Sequence, residues 1–243
     1  GSVAYAPWSP QEMFDLTIHC FNMADRYRLP VFLLADEVVG HMVERVVIPP
    51  SDKIQHLARK RPQTPPGDPF EPYRAEDTDL IPPMAHAGEG YHIHYTGLTH
   101  DERGYPDMTA ETHQELVSRL VSKVRVNQEQ LILTEGYDLQ DAGILVFAYG
   151  CASRPARRAV REARQQGVRA GLLRLISIWP FAEDRISELA DQAKSVIVVE
   201  MNLGQISREV ERCIRRPVKG IFHAGGAMIP PDPILQAILE EAK

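Results

Sequence analysis

From about residue 143 onward, short apolar runs alternate with stretches of helical character, and this alternation constrains the fold more tightly than any other feature of the chain. Residues 144–149 (ILVFAY) are apolar throughout and stop at Gly150. Residues 168–178 hold Leu172, Leu173, Leu175 and Ile176; residues 195–199 end at Glu200; a fourth run occupies 220–223. Such short, continuously apolar runs suit strands covered on both faces. Between them, helices are expected over about 153–166, 182–193 and 205–215. Ser153 is placed to cap the first of these and Gly167 to end it. Asp232-Pro233 reads as an N-cap followed by proline in the first turn, opening a last helix. Strand and helix in alternation imply an α/β fold: a parallel sheet with right-handed crossovers and helices on both faces.

Upstream, Ser9-Pro10-Gln11-Glu12 has the form of a capping box, with Trp8 and Met13 placed as a hydrophobic staple. The helix it opens carries an apolar stripe and ends by Pro30. Residues 31–35 (VFLLA) read as a core strand of a buried parallel sheet, closed by Asp36-Glu37. Nine prolines fall within residues 49–83, a density through which no regular element runs far. This stretch is too long for an ordinary loop and reads as a linker or an arm wrapped over another surface. A helix over about 109–126 follows, with Leu116, Val117, Leu120, Val121 and Val124 as its apolar face.

The net charge of −6 argues against general nucleic-acid binding, which needs a positive footprint. No run approaches the ~18 apolar residues of a membrane span, and the N-terminus lacks the pattern of a signal peptide. Cys20, Cys151 and Cys213 are too scattered for a metal or iron–sulfur clip, and a sparse, odd count suits a reducing cytoplasm. The opening Gly1-Ser2, without Met, reads as the scar of a cleaved tag on a piece of a longer chain.

Four groups of polar residues stand out. Asp36, Glu37 and His41 follow a strand, where open α/β sheets place their sites; alternatively they are a helix start with dipole-favoured acids. Residues 91–106 bring together His94, Thr96, His100, Asp101 and Glu102, as a polar loop near an active site or interface, or as a solvated loop. A metal site there would need further convergent ligands, so no metal is assigned. Arg154, Arg157, Arg158, Arg161 and Arg164 share one helix face with only Glu162 nearby. That face suits a phosphate-bearing cofactor, an acidic partner or plain solvation. Cys151, just ahead of it, is either a thiol activated by the helix dipole or a buried inert one. Asn202 and Gln205 open a helix after a strand and serve either a ligand, a neighbouring subunit or the helix start itself. Neither GxGxxG nor GxxxxGK[ST] occurs in these places, so a nucleotide-phosphate cradle of those types is unsupported.

Three blocks taken together, PVFLLADEVVGHMVE (30–44), YTGLTHDERGYP (95–106) and VEMNLGQISREVERC (199–213), resemble the α subunit of prokaryotic 2-oxoacid:ferredoxin oxidoreductases. The likeness is greatest to the shorter subunits of the 2-oxoglutarate type, with the isovalerate type also similar. It implies oxidative decarboxylation of a 2-oxoacid to an acyl-CoA with reduction of ferredoxin, or the reverse. It implies thiamine diphosphate, Mg²⁺ and an iron–sulfur cluster in the whole complex, mostly on a β subunit, with none expected on this chain alone. Partners implied are a β subunit, γ and δ subunits, ferredoxin and coenzyme A, with no nucleic acid and no membrane.

On that resemblance, residues 1–48 are expected to be the end of a pyrimidine-binding domain, 49–129 a linker, polar loop and connecting helix, and 130–243 a transketolase C-terminal-like domain. The family's Tyr-Pro-Ile-Thr-Pro motif and its cofactor-activating carboxylate have no match here, so no catalytic residue transfers. The loop His94, Thr96, His100, Asp101 and Glu102 is the candidate for proximity to the active site. Asp36, Glu37, His41, Arg157, Arg161, Asn202 and Gln205 are candidates for an interface. Three readings follow: a C-terminal portion of the enzyme subunit, inactive alone; a non-catalytic assembly module of the same complex; or part of a related thiamine enzyme that does not use ferredoxin, such as a dehydrogenase β-type subunit.

Overall fold

A computed structural model describes residues 1–243. In chain order its elements are β1 (Val3–Tyr5), α1 (Pro10–Tyr27), β2 (Val31–Leu33), α2 (Glu37–His41), α3 (Ala110–Val126), α4 (Gln128–Leu131), β3 (Thr134–Tyr137), β4 (Ile144–Tyr149), α5 (Ser153–Gln165), β5 (Ala170–Leu175), β6 (Ser177–Trp179), α6 (Glu183–Gln192), β7 (Ser195–Glu200), α7 (Gln205–Ile214), β8 (Lys219–Phe222) and α8 (Pro231–Glu241). Two compact units result. One comprises residues 1–3, 18–32 and 49–131, the other residues 4–17, 33–48 and 132–243. No helix is long and apolar enough to cross a membrane.

The larger unit is the expected α/β layer. Its five-stranded sheet runs β3-β5-β4-β7-β8, with β4, β5, β7 and β8 parallel and β3 antiparallel to β5 at one edge. Alternate side chains point to opposite faces. Val146, Ala148, Leu172, Ile197 and Val199 pack on α5 and α8. Leu145, Phe147, Leu173, Leu175, Val196 and Val198 pack on α6 and α7. The buried stripe of α5 is nearly all small, Ala156, Ala159, Val160 and Ala163, so this helix lies close to the sheet and turns its arginines outward.

Several local expectations need correction here. Ser153 is already helical and its hydroxyl caps nothing; a short 3-10 turn over Gly150–Ala152 precedes it. α8 begins at Pro231 with Pro230 as its cap, so Asp232 lies in the first turn. Strand β3 was not expected, because Thr-Glu-Gly-Tyr carries no apolar run. Residues 31–35 do not form a buried central strand. β2 is three residues long, Phe32 is 51% and Leu34 50% exposed, and the Leu34 N–H donates to the Tyr5 carbonyl at 2.7 Å. An apolar run alone does not distinguish a central strand from a short edge strand. Met42–Ile48 adds more uncovered apolar surface, with Val43 97% exposed.

The capping box forms with a variation. Ser9 Oγ accepts the Glu12 N–H at 3.2 Å, while the Glu12 carboxylate accepts the N–H of Trp8 (2.9 Å) rather than that of Ser9. The same carboxylate is paired with the guanidinium of Arg174 on β5.

In the smaller unit the proline-rich stretch is an arm held by side chains. Prolines leave carbonyls without partnering N–H groups, so long donors satisfy them. Arg28 donates to the carbonyls of Pro72 and Pro83, and Lys60 to that of Ile81 (2.8 Å). Asn22 grips the arm through Gln55 O and Leu57 N, and Arg59 pairs with Asp25 at 2.7 Å. α3 starts at its cap Thr109, whose hydroxyl accepts the Thr112 N–H. Its expected apolar face is only partly covered: Val124 is buried, but Val117 and Val121 are exposed. Lys123 is instead 2% exposed, its ammonium donating to the Arg28 carbonyl at 2.8 Å.

Candidate functional site

The sheet of the larger unit reverses its strand order at β4. The crossover through α5 leads to β5 on one side, while β7 lies on the other. Ligands of open α/β sheets bind at such a point, outside the carboxyl ends of the strands. Here that point is occupied by Tyr149 at the end of β4, Glu200 at the end of β7, Asn202 beyond it, and Asp36 at the start of α2. The fully buried Glu200 carboxylate accepts the N–H groups of Ile206 and Ser207, each at 2.9 Å, at the N-terminus of α7. The Tyr149 hydroxyl lies 3.4 Å from Glu200 Oε2 and accepts a hydrogen bond from Asn202 Nδ2. Asp36 Oδ2 accepts the Cys151 N–H at 2.7 Å, just ahead of α5.

The N-terminus of α7, which would ordinarily attract an anion, is therefore stoppered by Glu200, while Asp36 closes the turn ahead of α5. Neither Tyr149 nor Cys151 is poised for acid–base or nucleophilic work. Burial pushes the Tyr149 hydroxyl well above the usual phenol range, helped by the negative charges of Glu200 and Asp36. Burial, then Asp36, pushes the Cys151 thiol up to about 12, the opposite of what an activated cysteine needs. Gly150 sits at φ +52°, and a Cβ there would strike the Asp36 carboxylate.

Of the residues singled out from the sequence, Asp36 and Asn202 meet in this network. Asn202 also accepts the Gly204 and Gln205 N–H groups through Oδ1 at 2.8 and 3.0 Å, so it holds the helix start. Gln205 is exposed at the first position of α7. Glu37 and His41 form an exposed i,i+4 pair at 3.3 Å. Tyr149 and Glu200 are the members that sequence reasoning passed over; the position of each at a strand's carboxyl end was the available signal.

In the smaller unit, residues 99–106 close into a tight turn. Asp107 N–H donates to Thr99 O (3.0 Å) and Asp101 N–H to Tyr105 O (2.9 Å). The Asp101 carboxylate accepts the N–H groups of Arg103 and Tyr105, both at 3.0 Å, and pairs with the Arg103 guanidinium. His94 stacks on Tyr105, with centroids 4.8 Å apart, and hydrogen-bonds to Gly104 O. His100 lies against Tyr73 at 4.0 Å and bonds to the Asp101 carbonyl. Thr96 accepts the Leu98 N–H, and Glu102 pairs with Arg74 at 2.9 Å. The five candidate side chains thus share one loop and are engaged mainly in building it. No group of three or more His, Cys, Asp or Glu is arranged to hold a metal.

A cleft of about 620 Å³ opens beside α5 in the larger unit, lined by Trp8, Ser9, Tyr137, Asp138, Val160 and the arginines 154, 157, 158 and 161. The expectation that Glu162 alone faces these arginines needs correction. Arg154 is paired with Glu44, and Arg164 with Asp141 and Asp138, partners distant in sequence. Arg158 pairs with Glu162 at 2.8 Å. The Arg157 guanidinium lies 4.1 Å from the Tyr137 ring centroid and 5.7 Å from that of Trp8.

Residues 1–119 match the family described as pyruvate flavodoxin/ferredoxin oxidoreductase, thiamine diphosphate-binding, and residues 142–234 match pyruvate:ferredoxin oxidoreductase core domain II. The chain is 46% identical over 239 residues to the 2-oxoglutarate synthase subunit KorA of Methanocaldococcus jannaschii, covering 98% of this chain and 63% of that protein. It is 34% identical over 242 residues to the ketoisovalerate oxidoreductase subunit VorB of Methanothermobacter thermautotrophicus, covering 99% of this chain and 60% of the relative. The chain thus spans less than two thirds of the length of these relatives. Among solved structures, a 2-oxoglutarate:ferredoxin oxidoreductase from Magnetococcus marinus superposes with a TM-score of 0.90 over 100% of this chain and 42% of the other, at 20% identity.

Proposed function

Because the chain belongs to the pyruvate:ferredoxin oxidoreductase family, we propose that it is part of the α-type subunit of a 2-oxoacid:ferredoxin oxidoreductase. That enzyme would decarboxylate a 2-oxoacid, 2-oxoglutarate in the first place, to an acyl-CoA and pass the electrons to ferredoxin. One observation carries the choice of substrate: identity is 46% to a 2-oxoglutarate synthase subunit against 34% to a ketoisovalerate subunit, each over nearly the whole chain. We read residues 1–48 as the end of a pyrimidine-binding domain, 49–129 as a connecting region and 130–243 as a transketolase C-terminal-like domain; a separate family match over 142–234 supports the last, while the thiamine diphosphate-binding match continues through residue 119.

Thiamine diphosphate would supply the electron sink for decarboxylation. The residues at the strand-order reversal do not fit its diphosphate, since the carboxylate of Glu200 already fills the N-terminus of α7 and that of Asp36 occupies the turn ahead of α5. Nor is there a carboxylate cluster for Mg²⁺, and the three cysteines are separate and free. We therefore assign the diphosphate, its Mg²⁺ and the iron–sulfur cluster to partner subunits, a β subunit first, with γ and δ subunits completing a cytoplasmic complex. In this reading the present chain contributes walls and contacts, and its polar groups hold loops and helix ends in place.

The test is co-expression with the partner subunits and an assay of CoA-dependent reduction of ferredoxin or a viologen dye. The complex should turn over 2-oxoglutarate faster than 2-oxoisovalerate, and the chain alone should turn over neither. A preference for 2-oxoisovalerate would overturn the substrate assignment. Turnover by the chain alone would overturn the division of labour.

A further inference from the structure

We propose that the cleft between α5 and the Trp8–Tyr137 pair binds the phosphoryl groups of a nucleotide. Four observations converge, none of which depends on the decarboxylase reading above.

First, the cations are unequally matched. Arg154 is paired with Glu44 and Arg158 with Glu162, and the Asp138 carboxylate lies toward Arg164. Arg157 and Arg161 line the same cleft, are exposed, and have no carboxylate within ion-pair distance. Being four residues apart, they lie one helical turn apart on the same face, about 6 Å between Cβ atoms.

Second, Arg157 is held in place without losing its donors. Its guanidinium lies over the Tyr137 ring at 4.1 Å and near Trp8 at 5.7 Å. Contact with a ring face leaves the in-plane N–H groups free, and a planar fork of such donors matches a phosphoryl group. Trp8 is itself held: the buried Arg174 guanidinium lies 4.2 Å from its ring centroid. Two guanidiniums thus lie against Trp8.

Third, the cleft has the size and lining of a small-molecule site. Its volume of about 620 Å³ lies within the roughly 300–1,000 Å³ usual for such sites. Trp8, Tyr137 and Val160 contribute apolar lining, the two rings lying against the guanidiniums of Arg157 and Arg174.

Fourth, the usual alternative is closed. Phosphates on α/β sheets often sit at helix N-termini, but Glu200 closes that of α7 and Asp36 occupies the turn ahead of α5. The side of α5 offers the unpaired guanidiniums of Arg157 and Arg161 within one cleft.

ADP is the probe, titrated into the whole chain by calorimetry and, in a Trp179→Phe background, by the emission of Trp8, the other of the two tryptophans. Saturable binding, with quenching of Trp8 and weakening at high salt, is expected. Arg157→Glu and Arg161→Glu should each weaken it at least tenfold, whereas Arg208→Glu, an exposed arginine on α7, should leave it unchanged. Failure of millimolar ADP to bind overturns the proposal, as does binding indifferent to both cleft substitutions. Inorganic pyrophosphate binding as tightly as ADP would remove the nucleotide from it. Binding of polyglutamate without ADP would make the cleft a protein-docking surface instead.

Discussion

The Arg174 guanidinium, 1% exposed inside the larger unit, is paired with the carboxylate of Glu12, which stands 162 positions earlier in the chain. Glu135 lies 3.3 Å from the guanidinium Nε and gives partial support from the surface. Removing Glu12 strands a buried charge and also opens the start of α1. Glu12→Ala should therefore lower unfolding stability by about 3–5 kcal/mol, most of it from the unpaired arginine and about 1 kcal/mol from the lost cap. Chemical denaturation of the wild type and variant checks this. The double variant Glu12→Leu, Arg174→Met should recover much of the loss.

Lys123 predicts an unusual response to alkali. Burial, reinforced by the nearby Arg119 and Arg28, lowers its ammonium to about 8. Between about pH 8 and pH 10 the unfolded chain holds this proton and the folded chain has released it. Stability contributed by this group therefore rises with pH across that window, by about 2–3 kcal/mol when complete. Unfolding midpoints measured from pH 7.5 to 9.5 in wild type and Lys123→Met should show the rise only in the wild type.

Cys151 should be inert. With its thiol raised to about 12 by burial and then by Asp36, and that of Cys20 to about 11 by burial, iodoacetamide at neutral pH should label neither in the folded protein. Both should label fully after denaturation, as mass spectrometry would read. Rapid native labelling of Cys151 would contradict the burial described above.

Glu200→Gln keeps the side chain's shape but turns one backbone-accepting oxygen into a donor facing the N–H groups of Ile206 and Ser207. A loss of about 2 kcal/mol is expected, with fraying confined to the start of α7. Hydrogen exchange at Ile206 and Ser207 should rise more than exchange in the middle of β7.

Much of the α/β layer was legible because its signals are local: apolar runs bounded by Gly150, Gly167 and Glu200 mark strands and helix ends within a few residues. β3 was not, since its stability comes from pairing with β5 and not from its own side chains. The cap at Ser153 failed for a related reason. Three residues ahead, Gly150 starts a 3-10 turn, and the acceptor for the Cys151 N–H comes from Asp36, 115 positions away. The polar candidates could not be grouped from sequence: position after a strand marks Asp36 and Asn202 as noteworthy, and only the fold brings them to the same strand ends as Tyr149 and Glu200. The arginine face was visible as spacing, whereas Trp8, Tyr137 and the sequence-distant acids that sort its members into paired and unpaired were not.

Asp36 has a consequence for the order in which the chain is made. The ribosome delivers residue 36 long before residue 151, so the stopper exists before the turn and helix it closes have emerged. A truncation starting after Ile48 would synthesise the turn ahead of α5 with its Cys151 amide facing nothing, and the fault would lie in a stretch of chain no local inspection of α5 would think to restore.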